Sequence, residues 1–192
     1  MRCFVAIDLP DEIRATLALV QGALSDAAPR ADVRWTPLAS MHVTVQFLGD
    51  VPGSDVPAVA RALADAAARC TPLALRTVGL GAFPTAARAR VVFAAVEGAV
   101  VELGRLAADL GSRLAPLGWP PEPRRFHAHV TLGRVRRPAS LGRLAAAMED
   151  VGQACFGSWT APEVVLYHSR LGGPEGGTYE VLARVPLSAP CP

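Results

Sequence analysis

The chain has 192 residues, half of them hydrophobic, and a formal net charge of +2. It is long enough for a sizeable core, and its charge gives no strong field of one sign, so nucleic acid is neither demanded nor excluded as a partner. No apolar run reaches the ~18 residues needed to cross a bilayer, and Met1–Pro10 is too short and too soon charged for a signal peptide, which leads us to expect a soluble, cytoplasmic protein.

Residues 2–8 read as a first strand. Pro10 and Asp11 open a helix to about Ala27, with Ile13, Leu17, Val20 and Leu24 on one stripe. Val33-Arg34-Trp35 is a short extended piece ended by Thr36-Pro37, and the run from Met41 to Gly49 is a strand. Ser54 or Asp55 caps a helix to about Arg69. Strands at 73–83 and 90–96 form a hairpin around Thr85–Arg88. A helix follows from about Val100 to Leu114, then a proline-rich loop at 118–123, then a strand over 126–134. A short helix spans 140–149. Strands at 160–171 and 178–186 close the chain, joined by the glycine-rich 172–177. Strand, helix and His-Val-Thr strand recur in each half. There is no regular βαβ rhythm and no glycine-rich phosphate loop, so the reading is α+β with mostly antiparallel sheet.

Two segments carry the chemistry. Met41-His42-Val43-Thr44-Val45-Gln46-Phe47-Leu48-Gly49 and Phe126-His127-Ala128-His129-Val130-Thr131-Leu132-Gly133-Arg134 each hold His-Val-Thr before an apolar residue. Alternation along a strand puts His42 with Thr44 on one face, and His129 with Thr131. Histidine titrates near neutrality, so two of them can serve as one acid and one base at the same pH. The chain has only four histidines, and two of them fall in this repeated motif. Two structural histidines on sheet faces are the bland alternative. A zinc site using His127 and His129 is another, but no Asp, Glu or Cys accompanies them in that segment. His127 is read as a neighbour of the site, and His168 as structural or surface.

All 19 basic residues are Arg, which fits GC-rich coding better than a general phosphate preference, so only the position of a particular arginine carries weight. The four cysteines, Cys3, Cys70, Cys155 and Cys191, form no Cys-x-x-Cys pair and read as reduced, mostly buried thiols, with Cys191 in an exposed tail.

These residues resemble the 2H phosphoesterase family, named for two His-x-Thr/Ser motifs, and within it the bacterial LigT/ThpR branch of RNA 2′,3′-cyclic phosphodiesterases, also called 2′-5′ RNA ligases. The likeness covers nearly the whole chain. Arg2–Ile7 is similar to the family's opening strand, Val33–Trp35 with Met41–Gly49 to its first motif, Gly81–Pro84 with Arg90–Phe93 to its middle hairpin, Phe126–Arg134 to its second motif, and Ser169–Leu171, Gly177–Glu180 and Val185–Leu187 to its closing strands. Gln46 stands where many members carry Lys, and Ala128 where many carry Pro.

The resemblance implies one domain over residues 1–192 made of two pseudo-twofold lobes, with outer helices and a central cleft holding both motifs. It implies hydrolysis of a terminal 2′,3′-cyclic phosphate on RNA to a 2′-phosphomonoester, with no metal or other cofactor. In that pattern His42 is the proton donor and His129 the proton acceptor, while Thr44 and Thr131 steady the non-bridging oxygens. Arg134 and Gln46 are the substrate-binding candidates, although strand parity sets Arg134 opposite His129. Phe4, Trp35 and Tyr167 offer faces for a base, with core packing the expected role of Phe4. The expected partners of this monomer are RNA ends or small cyclic nucleotides, with no membrane. Ligation of tRNA halves through a 2′-5′ bond and non-catalytic binding of RNA ends are the alternatives.

Overall fold

The structure, a computed structural model, describes residues 1–28, 32–137, 141–170 and 178–188. The expected helix start at Ser140, the glycine-rich 172–177 and Cys191 lie outside the described residues. Among the described residues nine strands form one antiparallel sheet: β1 (Arg2–Asp8), β2 (Val33–Trp35), β3 (His42–Asp50), β4 (Leu73–Phe83), β5 (Val91–Gly98), β6 (His129–Val135), β7 (Cys155–Ala161), β8 (Glu163–Arg170) and β9 (Thr178–Pro186). Their order is β7-β4-β5-β6-β3-β1-β8-β9, with the short β2 paired to β6. The helices α1 (Asp11–Ala27), α2 (Val56–Ala67), α3 (Val100–Leu114) and α4 (Leu141–Val151) bury their apolar stripes in one core against this sheet.

β1 shows how the sequence makes two faces. It is buried along most of its length, but its side chains divide. Cys3, Val5 and Ile7 enter the helix-covered core. Phe4 and Ala6 point the other way, into a smaller cluster with Val165, Tyr167 and the half-buried Tyr179. An alternating strand with apolar residues on both sides needs a partner layer on each. Here helices supply one, and on the other side Phe4 and Ala6 are covered by the side chains of Tyr167 and Tyr179 from β8 and β9 of the same sheet.

The sheet has two halves. β7, β4, β5, β6 and β2 carry α1 and α4; β3, β1, β8 and β9 carry α2 and α3. The halves meet through a single cross-strand pair, Val43 opposite Val130. They are not the two halves of the sequence. β1 and β3 come from the start of the chain and pair with β8 and β9 from its end, while β4 to β7 form the other half.

Other expectations also shift. The single strand expected at 160–171 is two strands, β7 and β8, in different halves of the sheet. Pro162 lies between them; it has no N–H to continue a ladder, and its carbonyl instead accepts a bond from Leu187 N at 2.8 Å. β7 starts earlier than expected because Gly157 and Ser158 weaken its strand signal. Gly157 sits at φ 130°, where a Cβ would collide with Cδ1 of Ile13. Neither Ser54 nor Asp55 caps α2 through its side chain; the Ser54 hydroxyl donates to Asp55 Oδ1 at 3.0 Å instead. Cys3 and Cys70 are buried, but Cys155 is exposed at the start of edge strand β7.

Candidate active site

Both His-x-Thr motifs lie on the sheet face that the helices leave open. His42 and Thr44 precede a break in the β1–β3 register: Ala6 faces Thr44, but Val5 faces Gln46, so Val45 and Gln46 both turn to the core side. β6 does the same against β5, where Phe93 faces Thr131 but Val92 faces Gly133. Each motif is thus followed by a β-bulge that resets which face the next residues take. Extending the Val43–Val130 register by one residue each way sets His42 against Thr131 and Thr44 against His129. The two imidazoles then lie on a diagonal that spans roughly 7–8 Å in a regular ladder.

On the β3 arm, the His42 ring stacks on Phe4 (centroids 4.8 Å apart) and meets the edge of Tyr179 at 5.4 Å. Its Nδ1 lies 2.9 Å from the Ser40 carbonyl and its Nε2 3.0 Å from Thr44 Oγ1. A carbonyl can only accept, so Nδ1 carries the proton, and the Thr44 hydroxyl donates to Nε2. Burial pulls the His42 pKa down to about 4, against smaller upward pushes from the Ser40 carbonyl and the Asp8 carboxylate. Asp8 is the direct β1 partner of His42. It accepts a 2.6 Å bond from the Tyr167 hydroxyl and one at 3.3 Å from Arg184, which also bonds Glu163. Burial and that Asp8 contact push the Tyr167 pKa up.

On the β6 arm, His129 Nδ1 donates to the His127 carbonyl at 2.7 Å, the counterpart of the bond from His42 to Ser40. Its ring meets the edges of Phe83 and Phe93, both at 5.2 Å. Burial lowers its pKa, the bond to the His127 carbonyl pushes it part of the way back, and the nearby His127 ring and Arg134 add smaller downward pushes. His127 packs against the same two phenylalanines, its ring 6.2 Å from that of His129.

The bulges decide the two remaining site candidates. Arg134 faces Val91 and Arg34, on the side of Phe93 and Thr131, so it joins His129 despite its parity in the sequence. Gln46 goes the other way. It lies opposite the fully buried Val5, is itself 5 % exposed, and neither amide atom has a hydrogen-bond partner among the described residues. That placement corrects the substrate-binding expectation, because alternation from Thr44 fails at the bulge. Trp35 also turns to the core side, its ring lying where a Cβ on Gly133 would fall. Phe4 and Tyr167 lie on the open face, where they form the floor under His42. His168 stands outside the site, 3.5 Å from Glu180.

Besides the aromatic rings that frame the two histidines, three residues of this face were not singled out as site candidates in the sequence. Asp8 was hidden at the end of an apolar run. Phe47, three residues after Thr44 as Arg134 is after Thr131, is 55 % exposed with its ring 6.2 Å from Phe4. Arg34 lay in the short extended piece Val33–Trp35, of which only Trp35 was singled out. An expected bulge after His-x-Thr would have recovered Phe47 and Arg134 together.

The LigT like Phosphoesterase family model matches residues 7–93 and 95–177, and each stretch holds one His-x-Thr motif. The chain belongs to the LigT-like phosphoesterases. Among curated members, the RNA 2′,3′-cyclic phosphodiesterase of Aeropyrum pernix is 32% identical over 76% of this chain and 81% of its own length. That of Methanothermobacter thermautotrophicus is 29% identical over 93% and 95%. Among solved family structures, a Thermus thermophilus protein superposes with a TM-score of 0.80 at 30% identity, covering 98% of this chain and 99% of that one. Escherichia coli LigT complexed with 3′-AMP gives 0.76 at 28% identity, covering 97% of each. No described helix is long and apolar enough to cross a membrane.

Proposed function

We propose that this LigT-like phosphoesterase is an RNA 2′,3′-cyclic phosphodiesterase, opening a terminal cyclic phosphate to a 2′-phosphomonoester by acid/base catalysis without a metal. Relatives of that name align with most of the chain. The observation that carries the mechanism is the matched pair of imidazoles on the open face, each with Nδ1 tied to the carbonyl two residues before it, leaving Nε2 as the working nitrogen.

In this reading water lies in line behind phosphorus. His129 Nε2 takes its proton as the oxygen attacks, the P–O3′ bond breaks, and His42 Nε2 gives its proton to the departing 3′ oxygen. Thr44 and Thr131 donate to the non-bridging oxygens, and Arg134 balances the charge that grows on them. The charge beside each ring fits this division of roles: Asp8, opposite His42, pushes its pKa up against the larger pull of burial, and Arg134 favours the neutral ring of His129. Both histidines are biased to the neutral form in the free protein. An entering phosphate anion raises the pKa of each, so the acid acquires its proton as the substrate binds. The two sheet halves are the lobes of a single monomeric domain, and the cytoplasm is where it would meet RNA ends.

The test is incubation of EDTA-treated protein with a short RNA ending in a 2′,3′-cyclic phosphate, with the product resolved by chromatography. A 2′-phosphate is expected. A 3′-phosphate would reverse the assigned geometry, and binding without turnover would leave an RNA-end binder.

A further inference from the structure

Tyr179 lies over His42 from the last strand of the chain. The sequence holds two tyrosines, and both belong to the aromatic cluster on the open face. Tyr167 uses its hydroxyl inside the protein, donating to Asp8 at 2.6 Å. The Tyr179 hydroxyl has no hydrogen-bond partner among the described residues. Its ring is well held. It stands edge-on to Phe4 at 4.8 Å and to His42 at 5.4 Å, and 6.1 Å from Tyr167. A phenylalanine would make those contacts equally well, so packing accounts for the ring and leaves the hydroxyl unexplained.

The charges that reach Tyr179 come from the other half of the sheet. In the order β6-β3-β1-β8-β9 its strand is four spacings from β6, roughly 19 Å if the sheet were flat. Yet Arg134 of β6 and Arg34 of β2 both act on it electrostatically. The curl of the sheet and the reach of these side chains close that gap. Tyr179 therefore spans the open face, with its ring on the β3 side and the cations of the β6 side nearby. Arg34 and Arg134 are direct cross-strand partners, and neither pairs with a carboxylate among the described residues. Like charges set opposite one another repel, so this corner favours an anion. An anion between His42 and Arg134 lies between the groups that Tyr179 itself approaches. Burial pushes the Tyr179 pKa up by more than the two arginines pull it down, so the phenol keeps its proton at neutral pH and can donate it in a hydrogen bond.

We propose that Tyr179 is a further catalytic residue of this site, its hydroxyl donating a hydrogen bond to one non-bridging oxygen of the cyclic phosphate from the side away from the sheet. This rests on the phosphodiesterase reading. Thr44 and Thr131 stand on the sheet itself, on β3 and β6, and approach the phosphate from below. Tyr179 comes from above His42 and supplies a donor in a direction that neither threonine covers. No bond forms or breaks at Tyr179, and its proton stays on the phenol. As water attacks, charge grows on the non-bridging oxygens, and the hydrogen bond strengthens with it.

The experiment compares the wild-type protein with Tyr179→Phe, which keeps the ring and removes the hydroxyl. The substrates are adenosine 2′,3′-cyclic phosphate and the two diastereomers of its cyclic phosphorothioate, in each of which sulfur, a weak acceptor, replaces one non-bridging oxygen. On the oxygen substrate Tyr179→Phe is expected to lower kcat and kcat/KM alike, by roughly 10–100-fold. On the diastereomer whose sulfur takes the place facing Tyr179, the deficit should shrink to about twofold; on the other it should persist. A tyrosine that merely supports the fold would not tell the two isomers apart. A deficit equal on all three substrates, or kcat/KM within about twofold of wild type on the oxygen substrate, would overturn the contact. If the wild-type protein opens no cyclic phosphate, the phosphodiesterase reading fails, and titration of adenosine 2′-monophosphate into both proteins then tests the contact by itself. Binding weakened about fivefold or more in Tyr179→Phe supports it, and binding that is equal in both proteins or absent from both refutes it.

Discussion

The β3 and β6 arms use one backbone device for two different chemistries. Both present His and Thr on the open face, both tie histidine Nδ1 to a carbonyl two residues back, and both bulge just after the threonine. They differ in what surrounds the ring. His42 lies on Phe4 beneath Tyr179, with Asp8 opposite. His129 lies between Phe83 and Phe93, with His127 and Arg134 nearby. The residue that the bulge brings forward is the aromatic Phe47 on one arm and the cationic Arg134 on the other. A repeated backbone thus sets the places of the two imidazoles, while the side chains around them give each ring a different electrostatic setting, on which the proposed division into acid and base rests.

The sharpest way to break this comparison is to remove one ring at a time. His42→Ala and His129→Ala should each lower kcat by about 10²–10⁴ on the cyclic phosphate. The double variant should be little worse than either, because the two act as a unit. On a phosphodiester with a 4-nitrophenolate leaving group, which needs no protonation, His42→Ala should recover most of its loss and His129→Ala should not. Equal deficits on both substrates would remove the distinction between the arms.

Next in size is the charge around each ring. Arg134→Gln should lower kcat/KM about 10²-fold, by analogy with the loss of one oxyanion donor. With both histidine pKa values lowered, and His42 at about 4, the pH optimum of kcat/KM should lie below 6.5, and that of kcat, which reports the complex, should lie higher. Asp8→Asn removes the carboxylate that favours protonated His42, so less of the acid is charged, and kcat/KM should fall with the limb of its pH profile that follows His42 moving further down. A kcat/KM profile unchanged in height and position in Asp8→Asn would show that Asp8 does not support the acid.

Stability carries the same signature. His42 binds its proton less readily folded than unfolded, so the unfolded state takes up protons first as the pH drops. Its contribution is complete above pH 6.5 and falls by about 3 kcal/mol as the pH goes from 6.5 to about 4. His42→Gln should flatten thermal unfolding against pH in that window; an unchanged slope would place the acid sensitivity elsewhere. The smallest effect expected is at Gln46. Replacing its unpartnered, buried amide in Gln46→Met should leave stability equal or up to about 2 kcal/mol higher, with kcat/KM within about twofold. A tenfold loss of kcat/KM would return Gln46 to the site.

Much of this was legible in the chain. The apolar stripe of Ile13, Leu17 and Leu24 marks α1, the Val/Phe/Leu runs mark β1, β3 and β4, and the two His-Val-Thr segments name four residues of the open face. What a single strand could not reveal was the register of its partner. A face count by twos holds only while the ladder is unbroken, and a bulge depends on two strands at once. So Gln46 turned into the core, Arg134 turned out beside His129, and Arg34 acquired meaning only when β2 paired with β6. Pro162 was visible as a break, but nothing local says that β7 and β8 end in different halves of the sheet. Residue type and short-range period were enough to mark the two His-x-Thr candidates and most of the elements. Tertiary structure alone decided which side chains join them, because facing is set by long-range pairing between β1 and β3, β5 and β6, and β2 and β6.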